Sequence, residues 1–98
     1  MRTLLKVSIP ADAGNKAINS GALEQTFQSI AEQFKAEAAY FYPDENGNRC
    51  GFFVFDMEGS WQLPSLVEPV FHNLDATVHV TPVMNGEDLE RGLKEAAS

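Results

Sequence analysis

Apolar and polar residues alternate from Arg2 to Ile9, with Leu5, Val7 and Ile9 on one side and Leu4, Lys6 and Ser8 on the other. A period of two predicts a strand with one buried face, and Pro10 stops it. The next stretch, ADAGNKAINSGA, is rich in small and turn-forming residues. Asn15 and Ser20 both suit a helix N-cap, so a short helical turn is expected ahead of a longer helix. Between Ala22 and Lys35 the period changes: Leu23, Phe27, Ile30 and Phe34 recur at steps of four, three and four, with Glu24, Gln25, Gln28, Glu32 and Gln33 opposite them. That spacing predicts an amphipathic helix with one buried stripe.

Two β-prone runs, EAAYFYP and CGFFVFD, flank DENGNR. Asn46-Gly47 reads as the centre of a two-residue type I′ hairpin, whose central residues both need positive φ. Counting outward pairs Asp44 with Arg49, Tyr42 with Gly51, Phe41 with Phe52, Tyr40 with Phe53 and Ala39 with Val54. That register puts Ala39, Phe41, Cys50, Phe52 and Val54 on one face and Tyr40, Tyr42, Phe53 and Phe55 on the other.

In WQLPSLVEPVFHNL, Leu63, Leu66, Val67, Val70, Phe71 and Leu74 fall at helical spacing. Pro64 suits the first turn, and Pro69 removes one backbone bond and predicts a short or kinked helix. Trp61 is expected to pack as an anchor at its start. ATVHVTPVM alternates as a last strand, and Asn85 followed by Gly86, Glu87 and Asp88 looks like a capped start to a terminal helix with a narrow stripe of Leu89 and Leu93.

Strand, helix, strand, strand, helix, strand is the split β-α-β order of a ferredoxin-like α+β domain, here spanning residues 1–98. It implies a four-stranded antiparallel sheet in the order 4-1-3-2 with both helices on one side, plus the terminal helix. Leu5, Val7, Ile9, Phe41, Phe52, Val54, Val78 and Val80 are the expected sheet core. The other face would hold Leu4, Lys6, Ser8, Tyr40, Tyr42, Phe53, Phe55, Thr77, His79 and Thr81. Four large aromatics with no helix over them call for a covering surface.

The strings LLKVSIP, AAYFY, LPSLVEPVFHNL and TPVMNGEDL resemble small bacterial proteins of the dimeric α+β barrel superfamily. The resemblance runs over almost the whole chain and implies a ferredoxin-like subunit that pairs through its sheet. It brings no catalytic motif. Characterised members include cofactor-independent monooxygenases, muconolactone-type isomerases and stress-responsive barrels.

Charge narrows the partners. Fourteen acidic against seven basic residues give a net charge of −7, which argues against nucleic acid and anionic membrane surfaces. The excess is uneven: residues 56–98 carry eight acids and two bases, residues 1–55 six and five. One cysteine, Cys50, forms no internal disulfide, and the N-terminus has no signal or membrane-span pattern, so a cytoplasmic protein is expected. No metal-ligand spacing, phosphate loop or cofactor motif appears.

Lys6 and His79 are expected side by side on neighbouring strands, with Ser8 and Thr81 close and Tyr40 and Tyr42 supplying phenols across the sheet. Imidazole there has the chemistry of a neutral base or hydrogen-bond donor, and His79 is the one catalytic candidate. The ordinary alternative makes His79 a polar lining and Lys6 a snorkelling side chain. His72, Asp56 and Glu58 read as solvated, and Cys50 as a small core residue. The sequence thus supports a homodimer with a cavity for a small, partly aromatic ligand between Lys6, Ser8, Tyr40, Tyr42, Phe53, Phe55, His79 and Thr81. The alternatives are a cofactor-independent enzyme of the monooxygenase or isomerase type, or a structural or regulatory module whose acidic half docks a basic partner.

Overall fold

A central position in the sheet belongs to β1 (Arg2–Ile9), paired antiparallel with β3 (Arg49–Asp56) on one side and β4 (Thr77–Pro82) on the other. β2 (Ala38–Pro43) pairs with β3 and completes the order β2-β3-β1-β4, the expected 4-1-3-2 read from the opposite edge. The helices are α1 (Ala11–Ser20), α2 (Ala22–Gln33), α3 (Leu63–Leu74) and α4 (Gly86–Ala97), with a 3₁₀ turn at Ser60–Gln62. The computed structural model describes all 98 residues, and its architecture is the ferredoxin-like α+β fold.

Burial along β1 alternates strictly: Thr3, Leu5, Val7 and Ile9 are buried and Leu4, Lys6 and Ser8 are not. The buried row meets Phe27, Ile30 and Phe34 of the α2 segment and Leu66, Val70 and Leu74 of α3. Each of these large side chains contributes about 1.5–3 kcal/mol on burial. The expected short turn before α2 is a ten-residue helix, separated from α2 by Gly21 at φ +81°. α3 continues through Pro69 to Leu74, because Leu66, Val70 and Leu74 bury one stripe on both sides of the lost bond. Trp61 is no anchor: its ring lies over Gly59, where a Cβ would meet it at 1.8 Å, and it is 71% exposed.

The β2–β3 hairpin departs from the expected register by one residue. Tyr42 pairs with Cys50, Phe41 with Gly51, Tyr40 with Phe52 and Ala39 with Phe53. Gly47 has positive φ, +75°, but Asn46 does not, so the loop is the three-residue Glu45-Asn46-Gly47 with glycine in the left-handed position. The Asp44 N–H donates to the Asn48 carbonyl at 2.9 Å, and the Asp44 carboxylate accepts from the Asn46 and Asn48 amides at 2.9 and 3.0 Å. The Ser8 hydroxyl donates to the same carboxylate at 2.7 Å and ties the loop to β1.

A one-residue slip exchanges the faces of β3. Phe53 and Phe55, expected on the open face, are core residues at 0% and 1% exposure, while Phe52 and Val54 take their places on the open face. Cys50 likewise lies on the open-face side opposite Ser8, although it is buried. Gly51 accommodates the new register, since a Cβ there would lie 2.9 Å from the Phe41 ring, which stacks on Phe27 at 5.3 Å.

The hairpin yields two tests. Gly47→Ala should cost about 1 kcal/mol, with Gly47→Asn costing less, read as a lower denaturant midpoint at unchanged slope. The Ser8 hydroxyl, above all, holds the Asp44 carboxyl below the usual carboxylate range, assisted by the Asn48 and Asn46 amides and the Lys6 charge against partial burial. That stabilisation is present above the ordinary carboxyl pKa of about 4 and is lost as pH falls through the lowered value. Asp44→Asn should therefore destabilise the chain at neutral pH and flatten the acid limb of its stability profile. Parallel wild-type and variant profiles in acid would contradict this role.

Candidate ligand face of the sheet

Register sets out the open face as three rows that cross the strands. The middle row runs Tyr40 of β2, Phe52 of β3, Lys6 of β1 and His79 of β4. On one side of it lie Ala38, Val54, Leu4 and Thr81, and on the other Tyr42, Cys50, Ser8 and Thr77. Lys6 and His79 are thus direct cross-strand neighbours, with Ser8 and Thr81 in the flanking rows.

Phe52 sits between two phenols, its ring centroid 5.5 Å from Tyr40 and 6.0 Å from Tyr42. Such tilted and edge-on contacts hold the three rings as a wall. Tyr40 is 63% exposed, so the wall presents ring surface outward. The Cys50 thiol beside it, and then partial burial, push the Tyr42 phenol above its ordinary range, which keeps it a protonated donor. The Lys6 ammonium turns along the face to Glu45, with Nζ 3.4 and 3.5 Å from the two carboxylate oxygens. Burial of the Lys6 stem works against its charge, but the Glu45 carboxylate outweighs that and raises its pKa. Thr81 donates to the Pro82 carbonyl at 3.2 Å, and His79 is exposed with no carboxylate in ion-pair reach.

Of the expected cavity residues, Lys6, Ser8, Tyr40, Tyr42, His79 and Thr81 share this face, and Phe53 and Phe55 do not. Phe52, Val54, Cys50 and the loop carboxylates Asp44 and Glu45 join it. The signal that would have found Phe52 was Gly51, since a glycine within a strand marks the position where the Phe41 ring approaches the backbone. His72 pairs with Glu68 on the surface of α3 at 3.0 Å, away from these rows. No group of three or more His, Cys, Asp or Glu converges as a metal site, and no helix is long and apolar enough to cross a membrane.

The face thus offers a ring wall with two phenol groups, an imidazole in the same row, and the Lys6 ammonium drawn to its margin by Glu45. On the opposite side of the sheet, a groove of about 780 Å³ opens between α1, α2 and the β2–β3 hairpin, with Ile18, Leu23, Phe27 and Phe41 in its lining and Arg49 at its rim.

No family model matches the chain, and no curated protein matches it in sequence. Solved structures do match. The 5-chloro-2-hydroxyhydroquinone dehydrochlorinase of Burkholderia phenoliruptrix AC1100, solved in complex with 2,5-dihydroxybenzoquinone, superposes with a TM-score of 0.66 at 17% identity, over 89% of this chain and 97% of that one. The regulatory subunit of aspartate kinase from Thermus flavus superposes with a TM-score of 0.56 at 14% identity, over 83% of this chain and 51% of its own, so the present chain spans about half its length. At such identities the likeness is one of architecture, and this chain has the ferredoxin-like fold that these proteins share.

Proposed function

We propose that two copies of the chain stack their open sheet faces and hold a small, planar, oxygenated aromatic molecule between them. The observation that carries this reading is the row Tyr40–Phe52–Lys6–His79, an aromatic wall continuous with a cation and an imidazole, over which no helix of the chain folds. Stacked sheets sit about 10 Å apart, and a flat ring can lie between them where side chains are short, as at Ser8 and Thr81. A protein of the same fold was solved with a dihydroxybenzoquinone, a ring of this size and polarity.

A second reading makes the face catalytic, in the manner of a cofactor-independent monooxygenase or isomerase, with His79 as general base. The place of His79 in the same row as Phe52 and Tyr40 supports it, and the proton of an aromatic hydroxyl on a bound ring is the one such a base would take.

Calorimetry with 2,5-dihydroxybenzoquinone as probe, together with sedimentation, tests both. A dimer at micromolar concentration with saturable binding is expected, and Phe52→Ala should weaken binding at least about tenfold, or ~1.4 kcal/mol. Binding that survives both Phe52→Ala and Tyr42→Ala would overturn the ligand face. His79→Ala that binds normally but loses turnover of hydroxyquinols supports the enzyme reading. An unchanged turnover rejects it.

A further inference from the structure

The backbone groups of β2, which forms one edge of the sheet, divide by parity. The hairpin closes with the Asp44 N–H donating to the Asn48 carbonyl at 2.9 Å, which makes these two a hydrogen-bonded pair. In an antiparallel ladder such pairs recur at every second residue. Tyr42–Cys50, Tyr40–Phe52 and Ala38–Val54 are therefore the hydrogen-bonded pairs between β2 and β3. The residues between them, Ala39, Phe41 and Pro43, turn their backbone groups away from β3 to the open edge. No turn, loop or cap bond takes up the N–H or carbonyl of Ala39 or Phe41. The unpaired donors end sharply on both sides. Pro43 has no N–H, and the Glu37 N–H donates back to the Val54 carbonyl at 2.8 Å. Both limits stand at the same distance in sequence from Tyr40.

We infer that β2 of one copy pairs antiparallel with β2 of a second copy about a two-fold axis through Tyr40, joining two four-stranded sheets into one of eight. In that register the Ala39 N–H donates to the partner's Phe41 carbonyl, and the Phe41 N–H donates to the partner's Ala39 carbonyl. The axis repeats both bonds, so each edge-facing group of Ala39 and Phe41 is satisfied in both copies.

The side chains select the same register. Ala39 lies opposite the partner's Phe41 on the helix side, and Ala38 opposite the partner's Tyr42 on the open face. Each pair off the axis thus sets an aromatic ring beside an alanine. Shifting the register by two residues sets Phe41 against the partner's Phe41 in one direction and against the partner's Glu37 in the other. The run Ala38-Ala39-Tyr40-Phe41-Tyr42, small residues first and rings after, is complementary in size to itself read backwards. That commits the edge to a second copy. β2 carries no charged residue, so the net charge of −7 sets no like charges against each other along the paired strands. The helix layer leaves room, because the groove opens between α2 and β2 and holds the helix back from the edge. Phe41, 58% exposed, would be covered at the seam. The axis of this pairing stands perpendicular to the sheet and leaves both open faces on one side, so the pairing does not depend on the stacked sheets proposed above. Where both contacts form, two eight-stranded sheets stack as a tetramer.

Hydrogen exchange read amide by amide tests the pairing on the unmodified chain. The Ala39 and Phe41 amides should be protected at least about tenfold at concentrations where sedimentation shows association, and should lose that protection on dilution to monomer. Stacking offers these amides no acceptor. Unprotected exchange of both in the associated chain overturns the edge pairing and leaves the stacked sheets standing. Ala39→Pro should weaken association at least about tenfold by removing two bonds, and it spares the fold because that N–H takes no part in the β2–β3 ladder. In a Cys50→Ala chain, Tyr40→Cys should give a disulfide-linked homodimer under mild oxidation, since directly opposed residues of a non-hydrogen-bonded pair have Cα atoms about 4.5 Å apart. Tyr42→Cys in the same chain should not, and equal cross-linking at both positions overturns the register. A wild type that is monomeric at high micromolar concentration overturns both the edge pairing and the stacking.

Discussion

β1 is hydrogen-bonded along both edges, to β3 and to β4, so its alternation is imposed by pairing on the whole sheet. Once Leu5, Val7 and Ile9 face the helices, Phe53 and Val80, the partners of Leu5, must face them too. Lys6, Phe52 and His79 must then face the other way. The strand is locked in this phase because shifting it by one residue would drive Lys6 and Ser8 into an apolar core and expose three aliphatic side chains, a cost of several kcal/mol at about 1.5–3 kcal/mol per side chain. The chemistry of the open face is therefore a consequence of packing on the closed one.

That dependence explains what could be read from the chain and what could not. β1 and β4 declare their faces locally, since polar residues interrupt the aliphatic ones, and the juxtaposition of Lys6 with His79 follows from their parity. In β3 the run Phe52-Phe53-Val54-Phe55 is apolar on both faces, so alternation carries no information and the phase has to come from the turn. Asn-Gly marked the turn but not its length. The extra residue is stabilised by Asp44, which gathers two loop amides and a hydroxyl from β1, a contact 36 positions distant in sequence. A tertiary hydrogen bond thus decides a local register, and with it which phenylalanine belongs to the candidate site. The same blindness affected α1, whose capping signals suggested a turn where Ala17 and Gly14 bury against the sheet and sustain a full helix.

Charge on this chain is not a uniform coat. Most ion pairs are surface contacts, worth at most about 1 kcal/mol each, and their effect is on position rather than stability. Arg2 bridges Glu37 ahead of β2 and Asp88 in α4, and Lys6 is drawn toward the hairpin loop by Glu45. The second contact leaves the centre of the open face between Phe52 and His79 less positively charged than the sequence suggests, with the ammonium displaced toward the Tyr42 and Ser8 row. A ligand in the middle row would meet ring surface and imidazole first, and the cation at its margin.

The edge of the sheet connects these themes. β2 carries Tyr40, Phe41 and Tyr42 in succession, with no lysine or bulge along its length and only Pro43 at its end. An exposed aromatic edge strand is an aggregation hazard that native proteins cover, charge or shorten. Here Tyr40 and Tyr42 belong to the open face and Phe41 to the groove, so a partner on either side alone would leave half of the edge unprotected. A second copy stacked on the open face, as proposed, would cover the Tyr40 and Tyr42 side and leave Phe41 to the groove. On this argument the two tyrosines that flank Phe52 in the ring wall also make the β2 edge one that needs a cover.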